Sequence, residues 1–138
     1  MSTSKRFWRR SPRAAGRPVV VHITTTDMSL DWLLAPQLVA FGEAGYEVVG
    51  MSAAGPHVER LAELGIRHVP VDHFTRSTNP LDDLRAFVEL VRLLAAERPD
   101  LVHAHNPKPG ILGRIAARLT RTPLVVNTQH GMWAQPSD

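Results

Sequence analysis

A chain of 138 residues with 43% hydrophobic side chains has the size and composition of one globular domain. It contains no apolar run long enough to span a bilayer, and with no cysteine it has neither a disulfide framework nor a thiolate metal site. The net charge of +3 and the isoelectric point near 10.2 come from one end, because Lys5, Arg6, Arg9, Arg10, Arg13 and Arg17 all precede the first acidic residue, Asp27. Without those six, ten basic side chains face thirteen acidic ones, so the body of the chain is mildly acidic and no nucleic-acid partner is expected.

The basic stretch, residues 1–18, lacks the apolar core of a secretory signal. Its composition predicts a disordered extension. Its alternative role is a peripheral membrane contact, in which the cationic side chains meet anionic headgroups and Phe7 and Trp8 sit at the interface.

Residues 19–138 read as alternating strands and helices. Val19 to Thr24 is a nearly continuous β-branched run, as expected of a strand buried on both faces. A polar turn over Thr25 to Ser29 follows, then a helix through Trp32, Leu38 and Phe41. Pro36 lies inside that helical pattern and must mark a first turn or a kink. Gly45 is placed to end the helix in a left-handed conformation. Tyr46 to Met51 is a second strand. Pro56 can start a second helix, carried by Val58, Leu61, Ala62 and Leu64 and ended by Gly65. Ile66 to Val71 is a third strand.

After a polar loop over residues 72–79, Asn79 is a cap candidate, Pro80 suits the first helical position, and Asp82 and Asp83 complement the positive end of a helix. Leu81, Leu84, Val88, Val91 and Ala95 form one apolar stripe along it, and Arg98 closes its negative end. A strand at Leu101 to Ala104, a helix through Ile111, Leu112, Ile115, Ala116 and Leu119, and a strand at Leu124 to Val126 complete a βαβ unit. This alternation predicts an α/β fold: a doubly wound, mostly parallel Rossmann-like sheet. No helix follows the last strand, so a domain of this class is expected to continue beyond residue 138 or to need a partner.

In such a sheet the turns that follow strands gather at the carboxyl edge, where ligands bind. Three of these turns are polar. The first holds Thr25, Asp27 and Ser29. The second holds Asn106, Lys108 and Gly110, with Pro107 and Pro109 tolerated in the first helical turn. The third holds His130 and Gly131. Asn106, Lys108 and Gly110 at a helix N-terminus suit an anion or a sugar hydroxyl, and equally a rigid turn with one solvated lysine. His130 can hydrogen-bond a substrate or exchange a proton near neutral pH, or cap its own loop. His103 and His105 are two apart on a strand and share a face. An H-x-H pair can ligate a metal, but the further ligands of a barrel hydrolase have no place in a chain of this length, so no metal is expected. His103 is expected under a helix and His105 in the crevice. The first turn has no glycine, so neither the dinucleotide fingerprint nor a P-loop is present.

The run PDLVHAHNPKPGILGRIAARLTRTPLVVNTQHG, Pro99 to Gly131, resembles the N-terminal domain of family 4 glycosyltransferases. The shared features are D-hydrophobic-V-H-x-H, then K-x-G-x-L-G-R-x-A-A, then a strand ending in T-x-H-G. The likeness extends over about Val19 to Trp133. It implies one half of a GT-B fold: a retaining, metal-independent transferase with no cofactor, whose N-terminal domain holds the acceptor and whose other domain holds a nucleotide sugar. It implies a catalytic role for His130, near the transferred sugar, and substrate binding by Asn106, Lys108 and Gly110; with the other polar-edge residues Thr25, Asp27, Ser29, His105 and Gly131 these make up the expected substrate-binding set. Many members carry a glycine pair in the first turn, where this chain has Thr25, Thr26 and Asp27. The implied partners are a sugar or lipid-linked sugar acceptor and a donor domain, in cis or in trans. The implied place is the cytoplasm, at or near the inner face of the cell membrane. The expected function is the acceptor-binding half of a cell-envelope glycosyltransferase, inactive without its donor domain. A non-catalytic sugar-binding or docking module and half of a GT-B sugar-nucleotide epimerase are the alternatives.

Overall fold

The computed structural model describes residues 17–74, 79–105 and 107–128. Ten elements follow in order: β1 (Val19–Thr26), α1 (Asp27–Trp32), α2 (Ala35–Glu43), β2 (Glu47–Ala53), α3 (Val58–Glu63), β3 (Arg67–Pro70), α4 (Pro80–Glu97), β4 (Leu101–His105), α5 (Pro107–Leu119) and β5 (Leu124–Thr128). The five strands form one sheet in the order β3-β2-β1-β4-β5. Every pairing is parallel. The chain winds outward from β1 to β3, crosses back, and winds the other way through β4 and β5. The direction therefore reverses between β1 and β4, which is where a crevice opens in such sheets.

Alternation along the strands divides the core in two. Val19, Val21 and Ile23 of β1, with Val49, Met51 and Val102, pack against Ala86, Leu90 and Leu94 of α4 and Ala116 and Ala117 of α5. Val20 and Val48 face the other way, against Leu30, Leu34, Leu38 and Leu61 of the α1–α3 side. Strands buried on both faces need continuous apolar runs, and β1 has one. Helix α5 approaches the sheet through small residues: a side chain on Gly113 would lie 3.1 Å from Ile23 and 3.3 Å from Ala104.

Several local expectations resolve in the structure. The pattern through Trp32 and Phe41 is two helices, broken at Leu33 and Leu34, and Pro36 sits in the first turn of the second. There its missing N–H costs nothing. Gly45 and Gly65 take φ of 101° and 82°, a conformation that other residues adopt only with strain. Asn79 caps α4 by accepting a hydrogen bond from the Leu81 amide at 3.0 Å. Pro56 lies in the turn before α3, which begins at Val58.

Of the apolar stripe read along α4, only Val91 packs against the core. Leu81, Leu84 and Val88 are 52%, 58% and 42% exposed, while Ala86, Leu90 and Leu94 are buried. The helix is apolar on two faces, and periodicity cannot say which of them meets the sheet. On α5, likewise, Ile111, Ile115 and Leu119 point outward and Ala116 and Ala117 inward.

Candidate functional site at the carboxyl edge of the sheet

The end of β1 is organised by its own hydroxyls. Thr24 donates to the Thr26 carbonyl at 2.8 Å. Thr26 caps α1, accepting from the Ser29 amide at 3.3 Å, and its Oγ1 lies 3.1 Å from the Ser29 Oγ. Thr25 and Ser29 are half-buried at this edge. Asp27 opens α1 and is 5% exposed. Its carboxylate accepts from the His57 amide at 2.7 Å and occupies the space a side chain on Gly55 would need, with its oxygens 2.6 and 2.7 Å from that position. Asp27 thus fastens the loop after β2 to the end of β1. Asp31, one turn on, accepts from His57 Nδ1 at 2.8 Å and from Arg60 Nε at 3.0 Å. Burial pushes the Asp31 carboxyl up, but the hydrogen bonds from His57 and Arg60 and the Arg60 charge outweigh it and hold it below its ordinary value.

Beneath this edge lies a cluster of three histidines. His22 of β1 is in register with His103 of β4, and His105 is two residues further along the same face. His22 Nδ1 and His105 Nε2 are 3.1 Å apart and share one hydrogen bond. The His103 and His105 rings stack at 4.0 Å, and His103 Nε2 is 2.7 Å from Thr128 Oγ1 of β5. Phe41 of α2 closes the cluster in an edge-on arrangement, its ring centroid 5.4 Å from that of His22. Burial first, then His105 and His103, push His22 down to about 3, so it is neutral at every ordinary pH. Its Nε2 has no hydrogen-bond partner among the described residues. The three rings offer nitrogens within 4.8 Å of one another, the donor set a metal ion would use. Two of those nitrogens already satisfy each other, and His103 is engaged by Thr128.

The expected binding residues are therefore distributed unevenly. His105 is 1% exposed, so its ring supports the edge from below, closed off by His22 and His103. His103 is 9% exposed and reaches β5 rather than lying only under a helix. Gly110 lies in the first turns of α5 and is buried. What approaches it closely is the side chain of Asn127 from β5, whose Oδ1 would be 2.4 Å from an added Cβ. Lys108 is in the first turn of α5, with its side chain outside the described residues. Asn106, His130 and Gly131 also lie outside them. The strands that lead into these last three end side by side, with His105 paired to Thr128.

Two contributors escaped the sequence reading. His22 carried no shared spacing with the H-x-H pair, because its proximity comes from strand pairing. Asp31 lay in a helix read only for its apolar residues, whereas Asn127, which the sequence puts at the start of the last polar turn, belongs to β5. The signal available for His22 was a lone histidine inside a β-branched run, which must be either paired or neutral when buried.

The family model described as glycosyl transferase 4-like matches residues 17–136. The UDP-Gal:alpha-D-GlcNAc-diphosphoundecaprenol alpha-1,3-galactosyltransferase of Escherichia coli is 41% identical over 78 residues, which are 56% of this chain and 20% of that protein. The capsular polysaccharide biosynthesis glycosyltransferase CapM of Staphylococcus aureus is 24% identical over 113 residues, 82% of this chain and 29% of that protein. The matched stretch is thus less than a third of either relative's length. Among solved structures, a glycosyltransferase from Rickettsia africae superposes with a TM-score of 0.67 at 17% identity, over 87% of this chain and 31% of that one. A UDP-N-acetylglucosamine 2-epimerase superposes with a TM-score of 0.64 at 18% identity, over 86% of this chain and 33% of that one. Identities this low establish the shared fold alone. The family match spans every described element, from β1 to β5 and the polar turns between them, and the chain belongs to the glycosyl transferase 4-like family.

Proposed function

We propose that this chain is the acceptor-binding half of a retaining glycosyltransferase, which moves a sugar from a nucleotide-sugar donor to a cell-envelope polysaccharide or glycolipid. The observation that carries the reading is the coincidence of the family match with a parallel sheet whose order reverses between β1 and β4. The polar turns after β1 and β4 leave the sheet at that reversal. The acceptor meets Thr25 and Ser29 after β1 and Asn106 and Lys108 after β4, and Asp27 and His105 keep those turns in place from below. His130 and Gly131 follow β5, and His130 acts on the transferred sugar. As a neutral imidazole it orients a sugar hydroxyl; protonated, it stabilises the departing phosphate. No metal takes part. Donor binding belongs to a second domain, in cis or in trans, so the chain alone is inactive. It works at the cytoplasmic face of the membrane, where the acceptor's lipid resides, with the basic residues 1–18 as one contact. Both curated relatives are transferases, which favours this reading over an epimerase half built on the same architecture.

Calorimetric titration separates the acceptor role from a donor role. The chain is expected to bind a short-chain diphospholipid-linked N-acetylglucosamine, the class of acceptor named for the Escherichia coli relative, and Lys108→Ala is expected to weaken that binding. UDP- and GDP-sugars are expected to show no tight binding, and micromolar affinity for them with none for the lipid-linked sugar would overturn the proposal. With a donor domain present, His130→Ala should lower kcat at least a hundredfold, which corresponds to the loss of about 2.7–4 kcal/mol expected for one preorganised donor.

A further inference from the structure

Helix α1, which starts at the end of β1, finishes in an aromatic residue that the core does not take. Trp32 is 67% exposed and Leu33 after it 59%, although a tryptophan in a folded chain is on average largely covered. The indole is nevertheless held. His57, at the start of α3, meets it edge-on, with ring centroids 5.3 Å apart and planes at 83°. An edge-on pair covers at most one face of an indole, so at least one face of Trp32 stays open.

Polar groups flank this open face. Arg60 Nε donates to Asp31 Oδ1 at 3.0 Å, and the Asp31 side chain is buried. A carboxylate paired with a guanidinium can only accept, so His57 Nδ1, 2.8 Å from Asp31 Oδ2, is the donor of that bond. The imidazole thus keeps a proton on Nδ1, and in the neutral ring Nε2 is left as an acceptor. Neither His57 Nε2 nor the terminal nitrogens of Arg60 make a hydrogen bond among the described residues, and both side chains reach solvent. Asp27, which opens α1, accepts from the His57 amide at 2.7 Å and so ties the group to the edge that carries Thr25 and Ser29.

An open indole face beside one hydrogen-bond acceptor and a fork of donors has the chemistry of a carbohydrate subsite. The negative face of the ring attracts the polarised C–H bonds of a pyranose. The imidazole nitrogen accepts from one hydroxyl, and the guanidinium donates to the oxygens of its neighbours. Asp31 and Arg60 cancel each other's charge, and the exposed residues next to Arg60 on α3 include Glu59 and Glu63, so the site suits a neutral ring and not a phosphate. We propose that Trp32, His57 and Arg60 form a binding subsite for a neutral hexopyranose. The subsite stands on its own residues; its purpose, holding a sugar unit of the acceptor beside the turn after β1, rests on the function proposed above.

Titration with methyl α-pyranosides of N-acetylglucosamine, glucose, galactose and mannose tests it. Ligand-observed nuclear magnetic resonance reads binding to the unaltered chain. Tryptophan emission reads it at the site in a chain carrying Trp8→Phe and Trp133→Phe, in which Trp32 is the one indole left. At least one glycoside should give a saturable response at millimolar concentration, and the open-chain polyol sorbitol should give none. Trp32→Ala and Arg60→Gln should each weaken the binding about tenfold or more, with far-ultraviolet circular dichroism unchanged, whereas Trp32→Tyr, which keeps an aromatic face, should retain most of it. No saturable response to any of the four glycosides, an equal response to sorbitol, or equal binding by Trp32→Ala and the parent would overturn the proposal. So would binding of the diphospholipid-linked sugar that Lys108→Ala weakens and Trp32→Ala does not, a result that leaves the acceptor role in place. Glycoside binding at Trp32 by a chain that binds no lipid-linked sugar would support the subsite and remove the acceptor role.

Discussion

Acidification from pH 7 to pH 5 should destabilise this fold chiefly through His22. Its ring is fully buried, faces His103 and His105 from β4 and Phe41 from α2, and has its pKa lowered from 6.5 to about 3, by burial first and then by the two neighbouring histidines. At pH 7 the ring is neutral in both the folded and the unfolded chain. Below 6.5 the unfolded chain takes up a proton that the folded chain refuses until about 3. The stabilisation from a neutral buried His22 is therefore complete above 6.5, is lost as the pH falls, and levels off near 3. At about 1.4 kcal/mol per pH unit over this range, the loss between pH 7 and pH 5 is about 2 kcal/mol. Urea unfolding followed by circular dichroism at pH 7, 6 and 5 measures it, with His22→Leu as the comparison. The leucine variant is less stable at pH 7, since it leaves His105 without its 3.1 Å partner. Its stability should then fall by about 2 kcal/mol less than the parent's between pH 7 and pH 5. His68, whose pKa is also lowered by burial, contributes to both proteins and cancels in the difference. Parallel curves for the two proteins would refute the argument, since they would mean that His22 is protonated in the folded state or is not held in a dry cluster.

Three further substitutions probe the edge and the helix that leads to it. Asn79→Ala removes the acceptor for the Leu81 amide and should cost about 1 kcal/mol in urea unfolding. Gly110→Ala places a methyl group 2.4 Å from Asn127 Oδ1 and should cost about 1–3 kcal/mol. Combining it with Asn127→Ala should recover part of that loss in a double-mutant cycle. Asp27→Ala leaves the His57 amide without its 2.7 Å acceptor and should cost about 1–3 kcal/mol; hydrogen exchange should show faster exchange at His57, and unchanged exchange there would show that the loop is held by other means.

Much of the architecture was legible in the chain because it depends on neighbours in sequence. The β-branched run at Val19 to Thr24, the left-handed glycines at 45 and 65, and the Asn79-Pro80-Leu81-Asp82-Asp83 helix start are decided within a few residues. A carboxyl edge carrying the turns after β1, β4 and β5 follows from their alternation with helices once the sheet is parallel. The motifs between Pro99 and Gly131 pointed to the family that residues 17–136 match.

Tertiary structure alone decided what depends on distant partners. It set the strand order β3-β2-β1-β4-β5, which puts β1 beside β4 and so brings His22 to His105 across 83 residues. It turned Leu90 rather than Leu84 of α4 to the core, because a helix apolar on two faces carries no local mark of which side the sheet occupies. It split the first helical segment at Leu33 and Leu34, and it committed Asp27 to a loop 30 residues away. Backbone conformation is settled by caps, periodicity and φ at each residue, whereas burial, pKa and hydrogen-bond partners belong to whichever surfaces the packed sheet brings together.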